Sequence, residues 1–152
     1  MRGNRSWARL WILCCVTMSA MGCGGSSGPS RPMGDVTGIV TYQDKPVVGA
    51  NIVFLPTTRD TPAGAAITDS GGRYKLSVSG HQTGAVTGSY QVSIALNAPY
   101  DGPIPEGMSP EMAKENFPGK PLIPQKYFAA ATSKLTAEVK PGSNSFNFAL
   151  AD

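Results

Sequence analysis

From Asp35 onward, apolar and polar residues alternate with period two, segment after segment. Val36, Gly38, Val40 and Tyr42 fall on one face of a first predicted strand, with Asp35, Thr37 and Thr41 on the other. Ala50, Ile52 and Phe54 mark a second strand, and Ala65 and Ile67 a weaker third. Tyr74, Leu76 and Val78 alternate with Arg73, Lys75, Ser77 and Ser79, and Tyr90, Val92, Ile94 and Leu96 with Gln91, Ser93 and Ala95. Leu135, Ala137 and Val139 oppose Thr136, Glu138 and Lys140, and Phe146, Phe148 and Leu150 oppose Ser145, Asn147 and Ala149. Period-two alternation is the signature of a half-buried strand. Strands with one apolar face need a second sheet to cover that face, so the pattern predicts an all-β, seven-stranded β-sandwich.

The connections carry turn chemistry. Ser70-Gly71-Gly72 supplies positive φ for a tight hairpin, and Pro141-Gly142-Ser143-Asn144 is expected to close the last one. The Asp44-Lys45-Pro46 turn places Asp44 in the left-handed region, which Asp tolerates better than most residues. A phosphate loop would require a helix after Gly71-Gly72, and the pattern there is that of a strand.

The pattern breaks once, over residues 97–124. These 28 residues hold seven prolines and separate the fifth and sixth strands. Ser109-Pro110-Glu111 is a helix start and Pro118 stops the run after about two turns. Met108 and Met112, like Ala113 and Phe117, are four apart and are placed to dock on the sandwich. Loops of this length in a compact domain either carry function or cover a sheet edge. Tyr100, Phe117, Tyr127 and Phe128 are the aromatic candidates for a partner contact.

The N-terminus has a different character. Arg2, Arg5 and Arg9 precede an uncharged stretch, Leu10 to Met21, of twelve residues. That is short of the ~20 needed to span a bilayer. A basic start, a short apolar middle and small residues at the end make a secretory signal. A buried core helix is the alternative, and a basic cluster without a polar face suits it poorly. Ser19-Ala20-Met21-Gly22-Cys23 resembles a bacterial lipobox, with Gly22 as the small residue before a lipid-modified Cys23, although Ala20 and Met21 depart from its usual residues. The expected cleavage lies between Gly22 and Cys23, leaving residues 1–22 as signal, 23–34 as a Gly/Ser/Pro tether and 35–152 as the folded domain. Cys14 and Cys15 leave with the signal. A lone cysteine in an exported chain is a reactive thiol, half of an intermolecular disulfide or a modified residue, and the position of Cys23 favours modification. Acyl chains such as palmitate bury about 0.8 kcal/mol per CH₂, and stable anchoring takes more than one chain.

Charge follows the same division. The formal +3 arises from the three signal arginines: removing them leaves 13 − 3 = 10 basic against 10 acidic residues. A nucleic-acid partner would need a clustered basic surface, and the sequence offers none.

Three segments carry a resemblance. Val36-Thr-Gly-Ile-Val-Thr-Tyr-Gln-Asp-Lys-Pro-Val-Val-Gly-Ala-Asn-Ile-Val-Phe-Leu-Pro56, Thr68-Asp-Ser-Gly-Gly-Arg-Tyr-Lys-Leu76 and Gly88-Ser-Tyr-Gln-Val-Ser-Ile94 resemble, in that order, the signatures of carboxypeptidase regulatory-like domains. The chain is also similar to small lipoproteins abundant in planctomycete bacteria, through Ile123-Pro-Gln-Lys-Tyr127, Thr132-Ser-Lys-Leu-Thr136 and Asn144-Ser-Phe-Asn-Phe148. The resemblance covers about residues 35–150. Asp44 stands in place of a usual turn glycine, and Phe128-Ala129-Ala130 in place of a more polar turn. It implies a transthyretin-like (prealbumin-like) Greek-key sandwich with the Pro-rich insertion between strands five and six. It also implies a non-catalytic module.

Catalytic and metal constellations are absent from the sequence pattern. His81 is the sole histidine, too few for a zinc or copper site, and is expected in a solvated loop. No Gly-x-Ser-x-Gly elbow occurs. The transthyretin-related hydrolases rely on several histidines and a C-terminal Tyr-Arg-Gly-Ser, where this chain ends Phe148-Ala-Leu-Ala-Asp152. The acids are scattered, and Asp69 is expected to close a turn through its side chain rather than bind calcium. The expectation is an exported, lipid-anchored envelope protein without cofactor or metal, which binds another envelope protein or a glycan. A structural coat component is the alternative, and a hydrolase a remote one.

Overall fold

The structure, a computed structural model, describes residues 31–78 and 82–152. The expectations for the signal, Gly22, Cys23 and His81 lie outside those residues. Residues 31–152 form one compact unit.

The described residues form an all-β fold in two sheets. In the first, β1 (Met33–Tyr42) is the central strand. It pairs on one side in antiparallel fashion with three short segments: β2 (Lys45–Pro46), β5 (Arg73–Lys75) and β8 (Ala85–Val86). On its other side run β11 (Gly142–Ser145) and β12 (Phe148–Leu150), both parallel to it. The second sheet is antiparallel, in the order β10 (Leu135–Val139), β9 (Gly88–Ala95), β3 (Asn51–Pro56), β4 (Gly64–Ile67), β6 (Ser77–Val78) and β7 (Gln82–Thr83).

Each of the seven predicted strands has a counterpart, with three differences of physical interest. The first concerns phase. The third strand buries Gly64 and Thr68 and half-buries Ala66, leaving Ala65 exposed and Ile67 68% exposed. A one-residue slip moves a strand's whole apolar set to the other face. Here Gly64 must face inward, because a Cβ there would meet the Leu76 side chain at 2.7 Å.

The second concerns continuity. Residues 73–78 change sheets at Leu76, whose N–H bonds the Val36 carbonyl, and so divide into β5 and β6. The 70–72 turn and the Lys140-Pro141 connection thus join strands of different sheets, where closed hairpins were expected, and residues 142–144 belong to β11. The last strand is likewise divided, although its register with β1 is constant (Gly34↔Gly142, Tyr42↔Leu150). At the break the Asn147 side-chain oxygen accepts from the Ile39 N–H at 3.0 Å, taking the place of a backbone acceptor.

The third is that β2, β7 and β8 are two-residue ladders too short to show periodicity. In addition, β1 begins at Met33, two residues inside the expected tether.

The turns follow their residues. Gln43 and Asp44 both have positive φ (50° and 61°), the pattern of the two-residue hairpin that joins β1 to β2. An Asp69 carboxylate oxygen accepts from the Gly71 and Arg73 N–H groups, both at 2.8 Å, so Asp69 does close its turn. Asn144 accepts from the Lys140 N–H at 2.9 Å and donates to the Lys140 and Asp35 carbonyls, bracing the connection between sheets against β1.

The core is aromatic at its centre. Phe54, fully buried on the second sheet, has the Tyr74, Tyr90, Phe146 and Phe148 rings within 6.0–6.3 Å of its own. Tyr74, Phe146 and Phe148 come from the first sheet's strands or the break between them, so one ring holds both layers together. Every buried side-chain nitrogen or oxygen among the described residues has a hydrogen-bond partner.

Candidate functional site

Two poles follow from the strand directions. The ten residues of β1 span about 33 Å at the usual rise of an extended chain. At its start, Arg31 donates to Thr61 Oγ1 at 2.8 Å and to the Asp60 carbonyl, tying this end to the loop after β3. At its far end lie the Gln43-Asp44 turn, Asp152 and, from the end of β9, the insertion over residues 97–124.

The insertion folds on itself. Its two feet are zipped together: Ala98 N–H bonds the Lys120 carbonyl, Leu122 N–H bonds the Leu96 carbonyl, and Asn97 bridges Pro121. Gly119 makes this approach possible, since a Cβ there would collide with the Ala98 carbonyl oxygen. Above the feet, α1 (Pro110–Asn116) starts at Ser109, whose hydroxyl accepts from the Met112 N–H at 3.2 Å, and it stops at Phe117 before Pro118. Both ends lie where the sequence places them.

The docking of the helix differs from expectation. Ala113 is buried, but Met112 is 50% exposed, because neighbours on a helix lie about 100° apart and burying Ala113 turns Met112 to solvent. The insertion leaves from β9, an interior strand, and its only β-bridge among the described residues joins its own feet.

The four aromatic candidates separate into two pairs. Tyr100 and Phe117 meet within the insertion, with ring centroids 5.3 Å apart, and the Tyr100 hydroxyl donates to the Pro103 carbonyl. Tyr127 is a core residue: only 7% exposed, it donates its hydroxyl to the Ala151 carbonyl and accepts from the Ala151 N–H. Phe128 packs against the same core. The expectation that Tyr127 faces a partner is therefore corrected, while Phe128 is only half-buried. The short 3-10 helix Gln125–Tyr127 returns the chain to the sandwich, burying the Tyr127 ring and leaving Phe128 half-buried against the core.

Between the insertion's feet and the β1–β2 turn lies a groove of about 230 Å³, lined by Tyr42, Pro46, Val48, Leu96 and Leu122 among others. Two adjacent apolar pairs build it. Val47 and Ile123 are each 5% exposed and point into the core, while their neighbours Val48 and Leu122 stand 50% and 51% exposed. Paired apolar residues in extended chain place one side chain inward and one outward, so Val47-Val48 and Leu122-Ile123 were the available signal for this surface. Its rim is polar. Tyr42 donates to an Asp152 carboxylate oxygen at 2.6 Å, and Gln43 reaches the other oxygen at 3.3 Å. The hydrogen bond to Asp152 raises the Tyr42 phenol above its usual range, and the same bond lowers the Asp152 carboxyl.

Among the described residues no three His, Cys, Asp or Glu side chains gather as metal ligands, and no helix is long and apolar enough to cross a membrane. What the distal pole offers chemically is apolar area with a hydrogen-bonding rim.

No family profile and no curated protein matches the chain. A solved structure of a DUF3823 family protein from Parabacteroides merdae superposes with a TM-score of 0.42 at 11% identity, over 80% of this chain and 47% of that one. A 9R-lipoxygenase from Cyanothece gives 0.38 at 15% identity, over 83% of this chain and 17% of that one. The chain thus spans about half of the first protein and under a fifth of the second, and at these scores neither likeness carries an argument about function.

Proposed function

We propose that the chain is an exported lipoprotein, anchored through Cys23, whose non-catalytic β-sandwich presents the insertion and its adjoining groove to another protein of the cell envelope. The observation that carries this reading is the self-contained insertion, a loop zipped at its feet and held by its own aromatic pair, beside Val48 and Leu122 left in solvent. A cover for a sheet edge has no need of a closed neck or of apolar side chains turned outward. The poles are consistent with a tether at Arg31 and a recognition surface about 33 Å farther along β1. The Gln43-Asp44 turn, the Asp69 turn and the Gly88 strand opening agree with the carboxypeptidase regulatory-like resemblance. Under that reading the layers are a transthyretin-like Greek-key sandwich.

A glycan is the less favoured partner, because no aromatic ring lies flat and open in the groove: Tyr42 is half-buried and bonded to Asp152. Two measurements on the protein from intact cells test the proposal. Mass analysis of the N-terminal peptide is expected to show a lipid-modified Cys23 and no residue before it. In-cell cross-linking is expected to yield one recurrent envelope partner. An unmodified Cys23 removes the anchor, and a diffuse set of neighbours favours a coat component over a recognition module.

A further inference from the structure

The side-chain carbonyl carbon of an aspartate or asparagine lies within reach of the next residue's backbone nitrogen, which can attack it and close a five-membered ring. The attack needs an uncommitted side chain and an unhindered following residue, and glycine hinders least. Asp101-Gly102 is the only Asp or Asn followed by glycine in the sequence. The fold sets it apart from two pairs with a small serine next in line, Asp69-Ser70 and Asn144-Ser145. The Asp69 carboxylate is held by the Gly71 and Arg73 N–H groups, both at 2.8 Å. The Asn144 side chain, in β11, accepts from the Lys140 N–H and donates to the Asp35, Lys140 and Gly142 carbonyls. Ring closure at either would break those bonds. Asp101 is exposed, outside any helix or strand, and among the described residues neither its carboxylate nor the Gly102 N–H is hydrogen-bonded. Both reacting groups are free.

Packing explains why a glycine stands there. Tyr100 turns back over Gly102, with its hydroxyl on the Pro103 carbonyl at 2.9 Å and its ring 5.3 Å from that of Phe117. A Cβ on Gly102 would stand 2.6 Å from that hydroxyl, so any side chain there pushes the ring off both partners. The aromatic pair of the insertion and the reactive dipeptide therefore come together.

We propose that Asp101 is a site of spontaneous backbone isomerisation. The Gly102 nitrogen attacks the Asp101 side-chain carbonyl carbon, and the acid's hydroxyl leaves as water with the amide proton. Water then opens the ring at either carbonyl. Opening at the side-chain carbonyl restores aspartate; opening at the backbone carbonyl leaves an isoaspartate, with the chain routed through the Asp101 Cβ. That extra backbone atom falls between Tyr100 and Gly102 and displaces the Tyr100 ring, while the feet at Ala98–Lys120 and Leu96–Leu122 stay closed below it. The chemistry does not depend on whether the insertion meets a partner.

The test is to age the purified full chain at physiological temperature and neutral pH in heavy-oxygen water and to map its peptides by mass. Heavy oxygen and an isoaspartyl linkage are expected to accumulate at residue 101, with Asp69 and Asn144 unchanged. Asp101→Glu, which would have to close a six-membered ring, is expected to stay unmodified. Asp101→Asn reaches the same ring by releasing ammonia and is expected to give the isoaspartyl product faster. The aged parent is expected to show an altered near-ultraviolet tyrosine signal at an unchanged urea midpoint. No isoaspartate at residue 101, equal conversion at Asp69, or an aged parent with its tyrosine signal intact overturns the inference.

Discussion

The Tyr74 hydroxyl donates to the Phe146 carbonyl oxygen at 2.8 Å, and it does so across Gly38. A Cβ on Gly38 would stand 1.8 Å from that oxygen and 2.8 Å from the Tyr74 ring. The glycine of β1 thus lets a side chain from β5 reach the break between β11 and β12, joining three pieces of one sheet. Gly38→Ala forces backbone against backbone and is expected to cost more than about 3 kcal/mol. Tyr74→Phe leaves the carbonyl unpaired and is expected to cost about 1–3 kcal/mol with the fold retained. Urea denaturation followed by circular dichroism reads both.

The same tyrosine sets a pH dependence. Burial raises the Tyr74 phenol far above its ordinary value of 10.0, and burial raises Tyr90 as well. A group whose folded-state value is raised stabilises the fold fully below the unfolded value and loses that contribution as pH climbs towards the folded one. Stability is therefore expected to be flat in this respect up to about pH 10 and to fall above it. Tyr74→Phe is expected to reduce the alkaline loss, which thermal melts across that range measure.

At the β1–β2 turn, Asp44 holds φ 61° where glycine has no steric penalty. Asp44→Gly is expected to raise stability by about 0.5–1 kcal/mol. A loss of stability would mean that the Asp44 side chain holds the turn by a contact of its own.

Asp69 offers a contrast at the other turn. Its bonds to Gly71 and Arg73 are intramolecular, and Asp69→Ala is expected to cost about 1–2 kcal/mol. Calcium or a chelator is expected to leave the melting temperature unchanged. A calcium-dependent rise would show that the carboxylate serves an ion as well as the turn.

Because Ala98 and Lys120 already meet, the loop between them is expected to be replaceable by a short Gly-containing turn. Shortening a closed loop changes its closure entropy by only about 1 kcal/mol. The shortened chain is expected to fold with near-parental stability and to lose its envelope partner. Loss of folding would assign the insertion to the core instead.

Most of the sandwich was legible because half-buried strands repeat every two residues and the core positions, Val36, Val40, Ile52, Phe54, Val92 and Ile94 among them, obey that period. The third strand was misphased because it is short and its inward residues, Gly64, Ala66 and Thr68, are less apolar than the outward Ile67. The sheet change at Leu76 was invisible because alternation reports which face is buried and carries no record of the pairing partner. The candidate site was half legible. Its helix start and stop were written in Ser109-Pro110 and Pro118, and the Tyr100–Phe117 pair was among the named aromatics. Tyr127 turns into the core, and Phe128 packs half-buried against it, by a 3-10 turn that leaves no periodicity to read. Val48 and Leu122 are exposed by the local path of the chain, which no count of aromatics detects.

The central claim is recognition at the distal pole, and a photoreactive residue in place of Leu122 tests it most directly. Irradiated in intact cells, the Leu122 probe is expected to form one dominant adduct with a single envelope protein, while a control probe at Ser143, in β11 opposite Asp35 near the start of β1, forms none with that protein. Equal, diffuse labelling from both positions would contradict the account.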